Sequence, residues 1–178
     1  ECIIGYPDIN FLAVPQEYSS SQAKPNITSS NYLTQFNKIL NPEVPVFWTG
    51  SHVVSQYSSQ EDVEMWKNIF QRPLIFWDNY FANDYCGPKV ILEPYQSMSI
   101  ESARLFNGVM INPTGLIEVD EICLDFLGYF LAGQKIIAKE YFKANNFPSE
   151  FINALNFFKF FTNFNNSDED ASNIEKLL

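Results

Sequence analysis

Four polar residues able to hold a ligand stand close together in this chain: Asp78, Asn79, Asn83 and Asp84. They come directly after the apolar run Leu74, Ile75, Phe76 and Trp77, which Pro73 precedes. A short, continuous run rich in β-branched and aromatic residues predicts a strand buried on both faces. The carboxyl end of such a strand is where parallel α/β proteins bind small molecules, because loops there present side chains without disturbing the core. The chemistry on offer is hydrogen bonding to a polar ligand, with carboxylates accepting and amides both donating and accepting. The same residues also make turns, since Asp and Asn bond their own backbone where a chain leaves a strand. The segment taken alone leaves both readings open.

Other chemistries are poorly served. His52 is the only histidine, and Cys2, Cys86 and Cys123 lie far apart with no CxxC spacing, so no metal and no cofactor is expected. Cys86 directly follows Tyr85, and nothing near it argues for a reactive thiol. A net charge of -10, from 21 acidic against 11 basic residues, provides no basic patch for phosphates and argues against nucleic acid as the main partner. No uncharged apolar run is long enough to cross a bilayer. The chain opens on Glu1 with no signal-peptide pattern, which reads as a piece of a longer polypeptide. The triplets Asn26-Ile-Thr28 and Asn165-Asn-Ser167 fit the N-glycosylation pattern, but a chain this rich in Asn, Ser and Thr produces such triplets by chance, and they decide nothing.

The elements that must position the polar cluster repeat along the chain. With 178 residues, 46% of them hydrophobic, one sizeable core is possible. Asn10 to Val14 reads as a strand ending in Pro15-Gln-Glu-Tyr-Ser19, followed by a polar loop to Ser30. Tyr32, Leu33, Phe36, Ile39 and Leu40 have helical spacing, with Ser30 or Asn31 as N-cap and Asn41-Pro42 as the stop. Pro45-Val-Phe-Trp48 then runs into Thr49-Gly-Ser-His52, and Ser59-Gln-Glu-Asp62 opens a helix carrying Val63, Trp66, Ile69 and Phe70. After the Trp77 strand come Val90-Ile-Leu92 and a helix from about Ile100 to Leu105 capped by Ser99. The fourth strand is Asn107 to Asn112, and the helix after it, Val119 to Leu131, is apolar around most of its circumference, as for a helix packed between a sheet and its neighbours. Four β-then-α units imply a parallel sheet with right-handed crossovers. Beyond Gly133 the character is helical alone, with Phe147-Pro-Ser149 as staple, proline and cap before the apolar face of Phe151, Leu155 and Phe158. The expected organisation is residues 1–135 in the repeated units, 136–165 as a closing helical segment and 166–178 as an acidic tail.

Taken in order, the strand-end motifs resemble a known family. Pro15-Gln-Glu-Tyr18, Phe47-Trp-Thr-Gly50 with Val53-Val-Ser55, Trp77-Asp-Asn-Tyr-Phe-Ala-Asn-Asp-Tyr85, Pro94-Tyr95 and Gly108-Val-Met-Ile-Asn-Pro113 resemble the second half of the catalytic domain of glycoside hydrolase family 84. That family comprises the O-GlcNAcases and bacterial β-N-acetylglucosaminidases, and the resemblance runs from about Gly5 to Phe161. It implies an α/β fold, a (β/α)8 TIM barrel, of which this chain would supply the last four units plus a C-terminal helix. A complete barrel takes about 250 residues, so the length itself points to an incomplete one. The implied chemistry is removal of terminal β-linked N-acetylglucosamine, with the substrate's own acetamide oxygen as nucleophile and two adjacent Asp residues assisting, a departure from the two-carboxylate retaining scheme. No Asp-Asp pair occurs in the 178 residues, so no catalytic residue is expected in this chain.

What the resemblance implies for the site is a sugar pocket. Tyr18 matches the tyrosine beside the reacting centre, Trp77 the wall of the acetamide pocket, Asn79 an amide that bonds the substrate, Asp84 the carboxylate that takes the sugar's 4- and 6-hydroxyls, and Asn112 a further sugar-binding amide. The implied partners are an N-acetylglucosamine-bearing glycan or glycoprotein and the N-terminal half of the barrel, in the same or another chain. Leu92-Glu-Pro-Tyr95 departs from the usual Leu-Gly-Pro-Tyr, and Gln96-Ser-Met-Ser99 replaces basic residues, which bears on the outer side of the cleft. His52 is open between touching a ligand and capping a turn. The alternative function is a catalytically inactive barrel acting as a carbohydrate-binding or structural component. The cysteine count leans to a reducing, cytoplasmic or nuclear compartment over secretion.

Overall fold

The computed structural model of the chain describes residues 10–55, 57–84 and 90–157. It divides into two compact units, Glu1–Asn79 with Ser97–Ile111 and Tyr80–Gln96 with Asn112–Leu178.

The first unit holds the sheet. Its strands β1 (Val46–Trp48), β2 (Leu74–Asp78) and β3 (Gly108–Ile111) lie side by side in that order, all parallel, with Trp48 opposite Phe76 and Trp77 opposite Met110. Where a strand was expected over Asn10 to Val14, a single parallel bridge joins Ala13 to Val46. Ala13 N donates to Pro45 O at 3.0 Å and Phe47 N to Ala13 O at 2.9 Å, while Leu12 and Val14 on either side are exposed.

Each helix of this unit starts on a serine, as local sequence demands. Helix α1 (Asn31–Ile39) is capped by Ser30, whose hydroxyl accepts from Leu33 N at 3.0 Å. Helix α2 (Gln60–Phe70) carries a full capping box: Ser59 Oγ accepts from Asp62 N at 3.1 Å, and Ser59 N donates to Asp62 Oδ2 at 3.3 Å. Helix α3 (Ile100–Leu105) is capped by Ser99 at 3.0 Å from Ser102 N. The helices cover one face of the sheet. Trp48 lies 4.9 Å from Phe70 and 6.1 Å from Trp66, and Phe76 lies 5.0 Å from Phe106, ring centre to ring centre. The alternate residues point the other way, as a pleated strand requires. On that second face Phe47 meets Trp77 edge to face at 5.3 Å, Ile75 and Trp77 are half-buried, and Met110 is 37% exposed.

Arg72 ties α1 and α2 to the start of β2. Its buried guanidinium donates to the carbonyls of Asn37, Leu40 and Asn41 at the end of α1 and of Phe70 at the end of α2, at 3.0 to 3.3 Å. A cation suits those carbonyls because a helix carries its negative end there. Burial lowers the guanidinium below the ordinary arginine range, yet arginine keeps its charge at any physiological pH. Replacing it by Ala strands several carbonyls, and with charge-assisted bonds contributing about 1.5–3 kcal/mol each before water compensates, Arg72→Ala is expected to lower the urea midpoint of unfolding. Arg72→Lys is expected to recover little of the loss, because one ammonium cannot span two helix ends.

The second unit is built on aromatic residues. Tyr80, Phe81 and Tyr95 cluster with ring centres 4.9 to 6.1 Å apart, and Tyr95 lies 4.7 Å from Phe130. Helix α4 (Ile117–Leu131) buries Ile122, Cys123, Phe126 and Leu127. Its amino end has no side-chain cap from Leu116; Asp120 instead reaches back to Thr114 N and Oγ1 at 2.8 and 2.6 Å and to Gly115 N at 3.1 Å. The other apolar side of α4 is open. Ile117 (73%), Leu124 (55%) and Leu131 (48%) are exposed, and their spacing of seven sets them in one line along the helix. The expectation of packing around the whole circumference therefore holds for one side of α4 among the described residues.

Among its described residues, the region expected as one closing segment contains two helices, α5 (Ala138–Ala144) and α6 (Ser149–Phe157), separated by a turn in which Asn146 takes a φ of +59°. Ser149 is the first helical residue, and Phe147 does pack, lying 5.0 Å from Phe142 and 5.2 Å from Phe151. Phe158, Phe161 and the acidic tail lie outside the described residues.

Cys123 sits fully buried with its thiol toward Ile91 O at 3.9 Å, and burial together with the Asp120 charge pushes it up to about 12. Tyr141, which donates to Asp125 Oδ2 at 2.6 Å, is raised as well, by burial first and by that hydrogen bond. Native Cys123 is expected to resist alkylation at pH 8 and to react once the chain is unfolded. Both groups keep their protons longer in the folded state than in the unfolded one, so stability is full below their unfolded pKa values and declines above roughly pH 8.5 to 10. A chemical-unfolding series across that range, paired with thiol counting, checks both statements. Cys2 and Cys86 lie outside the described residues.

Candidate functional site

Three of the five site candidates belong to the first unit. Trp77 is the fourth residue of β2, half-buried on the face that the helices do not cover, with Phe47 against its ring. Asn79 follows the strand directly and is almost fully buried. Its Nδ2 donates to Val53 O at 2.6 Å, a bond that selects one orientation of the amide, since the flipped form would set two oxygens against each other. Tyr18 is half-buried in the segment after the Ala13 bridge, and its carbonyl accepts from Thr49 N at 3.0 Å.

Tyr18 and Asn79 are thus held by the same loop, Thr49 to Ser55, which follows β1. Ser20 N donates to Gly50 O at 3.0 Å and Ser21 N to Ser51 O at 2.9 Å, continuing the attachment begun at Tyr18. Thr49 Oγ1 lies 3.1 Å from Tyr18 O and 2.9 Å from His52 O. The loop closes on itself through Ser55, whose buried hydroxyl lies 2.9 Å from Thr49 O and 3.1 Å from His52 O and accepts from His52 N at 3.1 Å. Gly50 permits the closure with a φ of +101°, and a Cβ there would collide with Ser55 Oγ. His52 takes part in this turn through its main chain. Its exposed side chain lines an open cleft with Ser51, Val54, Ser55 and Tyr57.

The two remaining candidates belong to the second unit. Asp84 is exposed in a turn after the buried pair Tyr80 and Phe81, and Asn112, the residue after β3, is half-buried. Asp78 differs from Asp84. It ends β2 on the same side as Leu74 and Phe76 and is 1% exposed. Asn83 is half-buried, and Tyr85 lies outside the described residues. Among the described residues no three of His, Cys, Asp and Glu gather as a metal site, and no helix is long and apolar enough to cross a membrane. Sequence reasoning matched the Thr49-Gly50 and Val53-Val-Ser55 motifs but assigned the loop no task. The signal was a glycine two residues after a strand, Gly50 after Trp48, with Ser55 five residues further on.

The fold recurs in solved structures. An O-GlcNAc hydrolase of Thermobaculum terrenum superimposes with a TM-score of 0.65 at 23% identity, over 80% of this chain and 31% of that one. CpGH84B does so with a TM-score of 0.60 at 27% identity, over 67% of this chain and 21% of its own. These neighbours are catalytic domains of the (β/α)8-barrel type, and the parallel sheet and helices described here are consistent with part of such an α/β fold. A family model described as beta-N-acetylglucosaminidase matches residues 6–149. The Protein O-GlcNAcase of Mus musculus is 35% identical over 124 residues and that of Rattus norvegicus 34%, in each case over 70% of this chain and 13% of the relative. The chain belongs to the β-N-acetylglucosaminidase family, glycoside hydrolase family 84, and spans about an eighth of the length of the curated relatives it matches.

Proposed function

We propose that this chain is the sugar-recognising half of a β-N-acetylglucosaminidase, the last four β/α units of its barrel, and that a preceding segment supplies the catalytic Asp pair. The observation that carries the reading is the family match across residues 6–149, within which Tyr18, Trp77 and Asn79 stand at or just beyond the carboxyl ends of a parallel sheet. In this reading Trp77 walls the acetamide pocket, where a flat apolar ring suits a methyl group. Asn79 and Asn112 bond the sugar, Tyr18 stands beside the reacting centre, and Asp84 takes two hydroxyls with charge-assisted bonds. The substrate is a glycan or glycoprotein ending in β-linked N-acetylglucosamine.

The partner is the N-terminal half of the barrel, in the same or another chain. Parallel sheets are normally covered on both faces, and the half-exposed face of Ile75, Trp77 and Met110 is a surface such a half would cover. The open stripe of Ile117, Leu124 and Leu131 on α4 is a second.

Full-length protein containing this chain is expected to release the fluorophore from a β-N-acetylglucosaminide, and replacing both residues of the Asp pair by Asn is expected to abolish release. A second reading rests on the lack of any Asp-Asp pair in the 178 residues: a barrel without catalysis that binds carbohydrate or serves as a structural component. A folded full-length protein that binds N-acetylglucosamine without turning over the fluorogenic substrate would establish that reading in place of the first.

A further inference from the structure

We infer that Ser55, which contacts no proposed sugar ligand itself, is a positioning residue for the sugar site, acting through the loop that it closes. The inference rests on the sugar-site reading above, and its observations all lie within the first unit. The Thr49–Ser55 loop spans two site candidates that are far apart in sequence: at one end its amide holds the Tyr18 carbonyl, and at the other its Val53 carbonyl holds the Asn79 amide at 2.6 Å. Between those attachments the loop has no regular secondary structure to keep its shape. Ser55 Oγ replaces it. One hydroxyl accepts from His52 N and donates its single proton to Thr49 O or His52 O, so it draws the first and fourth residues of the loop onto one point.

Two further features bear on the same point. Ser55 is 2% exposed, so water cannot readily take over its bonds when the hydroxyl is removed. Gly50 lacks a Cβ where one would strike Ser55 Oγ and would come within 3.2 Å of Ser58 Oγ, so the main chain and the hydroxyl are fitted to each other. A loop held only for stability would have no reason to end on the Asn79 side chain. Here the Val53 carbonyl sets which way that amide faces, and the position of Val53 depends on the closure at Ser55.

The test is a double-mutant cycle in the full-length protein, read as affinity for N-acetylglucosamine by calorimetric titration of folded material. Asn79→Ala is expected to weaken binding about tenfold or more, as for loss of a hydrogen-bonding partner in a polar site. Ser55→Ala is expected to weaken binding about three- to tenfold in the native background and by less than twofold in the Asn79→Ala background, because the group through which Ser55 acts is then gone. Equal effects in the two backgrounds, or none in the native one while Asn79→Ala binds weakly, would overturn the role of Ser55 and leave the sugar site standing. Unchanged binding by Asn79→Ala would remove the sugar-site assignment of Asn79 and the Ser55 inference with it. Should Ser55→Ala not fold, Ser55→Cys, which keeps the shape with a weaker donor, is put through the same cycle against the same outcomes.

Discussion

The isolated 178-residue chain is expected to hydrolyse a fluorogenic β-N-acetylglucosaminide no faster than buffer does. A positioned acid-base group alone contributes about 100- to 10,000-fold to such a reaction, and electrostatic stabilisation of developing charge adds a comparable factor. In the mechanism proposed for the complete protein an adjacent Asp pair provides both, one carboxylate polarising the acetamide and the other exchanging the proton with the leaving oxygen. The chain has no such pair. Among the described residues its sheet has three strands, and the face bearing Trp77 and Met110 is partly open, so water has access where a glycosidase excludes it. Residual binding through Trp77 and Asn79 would hold a sugar without reacting it. Robust turnover by the purified chain would mean that catalysis uses groups other than the family's pair. Recovery of turnover on adding the N-terminal half would support the division of labour proposed here.

Within the full-length protein, Asp84→Ala is expected to weaken N-acetylglucosamine binding about ten- to a hundredfold, and Asp78→Ala to weaken it far less. An ionised acceptor of two sugar hydroxyls contributes on the order of 1.5–3 kcal/mol, and in the proposed site that acceptor is Asp84, not Asp78. The contrast in exposure supports the distinction: Asp84 is exposed and open to a ligand, whereas Asp78 is 1% exposed on the side of Leu74 and Phe76. Loss of the buried carboxylate is therefore expected to register in the unfolding midpoint. Trp77→Ala discriminates less well, because removing a large ring that packs on Phe47 leaves a cavity whatever the role in binding. Calorimetric titration of the two folded Asp variants is the measurement. Equal affinities would show that Asp84 does not belong to the sugar site.

What was legible in the amino-acid sequence is what short-range chemistry decides. Ser30, Ser59 and Ser99 each cap a helix by a bond to an amide three residues on, so the cap and its partner stand in one short string of letters. Strand β2 was legible because Leu74 to Trp77 is a compact apolar run, and the order of motifs from Pro15 to Pro113 was specific enough to point to the family. Tertiary structure alone decided the rest. An apolar run such as Asn10 to Val14 has strand character, yet how much of it pairs depends on what lies alongside, and among the described residues its pairing is one bridge at Ala13. Helix α4 is apolar on two sides, and only packing reveals that Ile122, Cys123, Phe126 and Leu127 are covered while Ile117, Leu124 and Leu131 are not. Asp78 and Asp84 are the same residue type six positions apart, and the alternation of β2 buries one while the turn exposes the other. The loop from Thr49 to Ser55 is the plainest case: its bonds reach Tyr18, 31 residues earlier, and Asn79, 26 residues after Val53. Hydrogen bonds across such separations form only after the parallel sheet has brought the strand ends together, and no local pattern of residues encodes them.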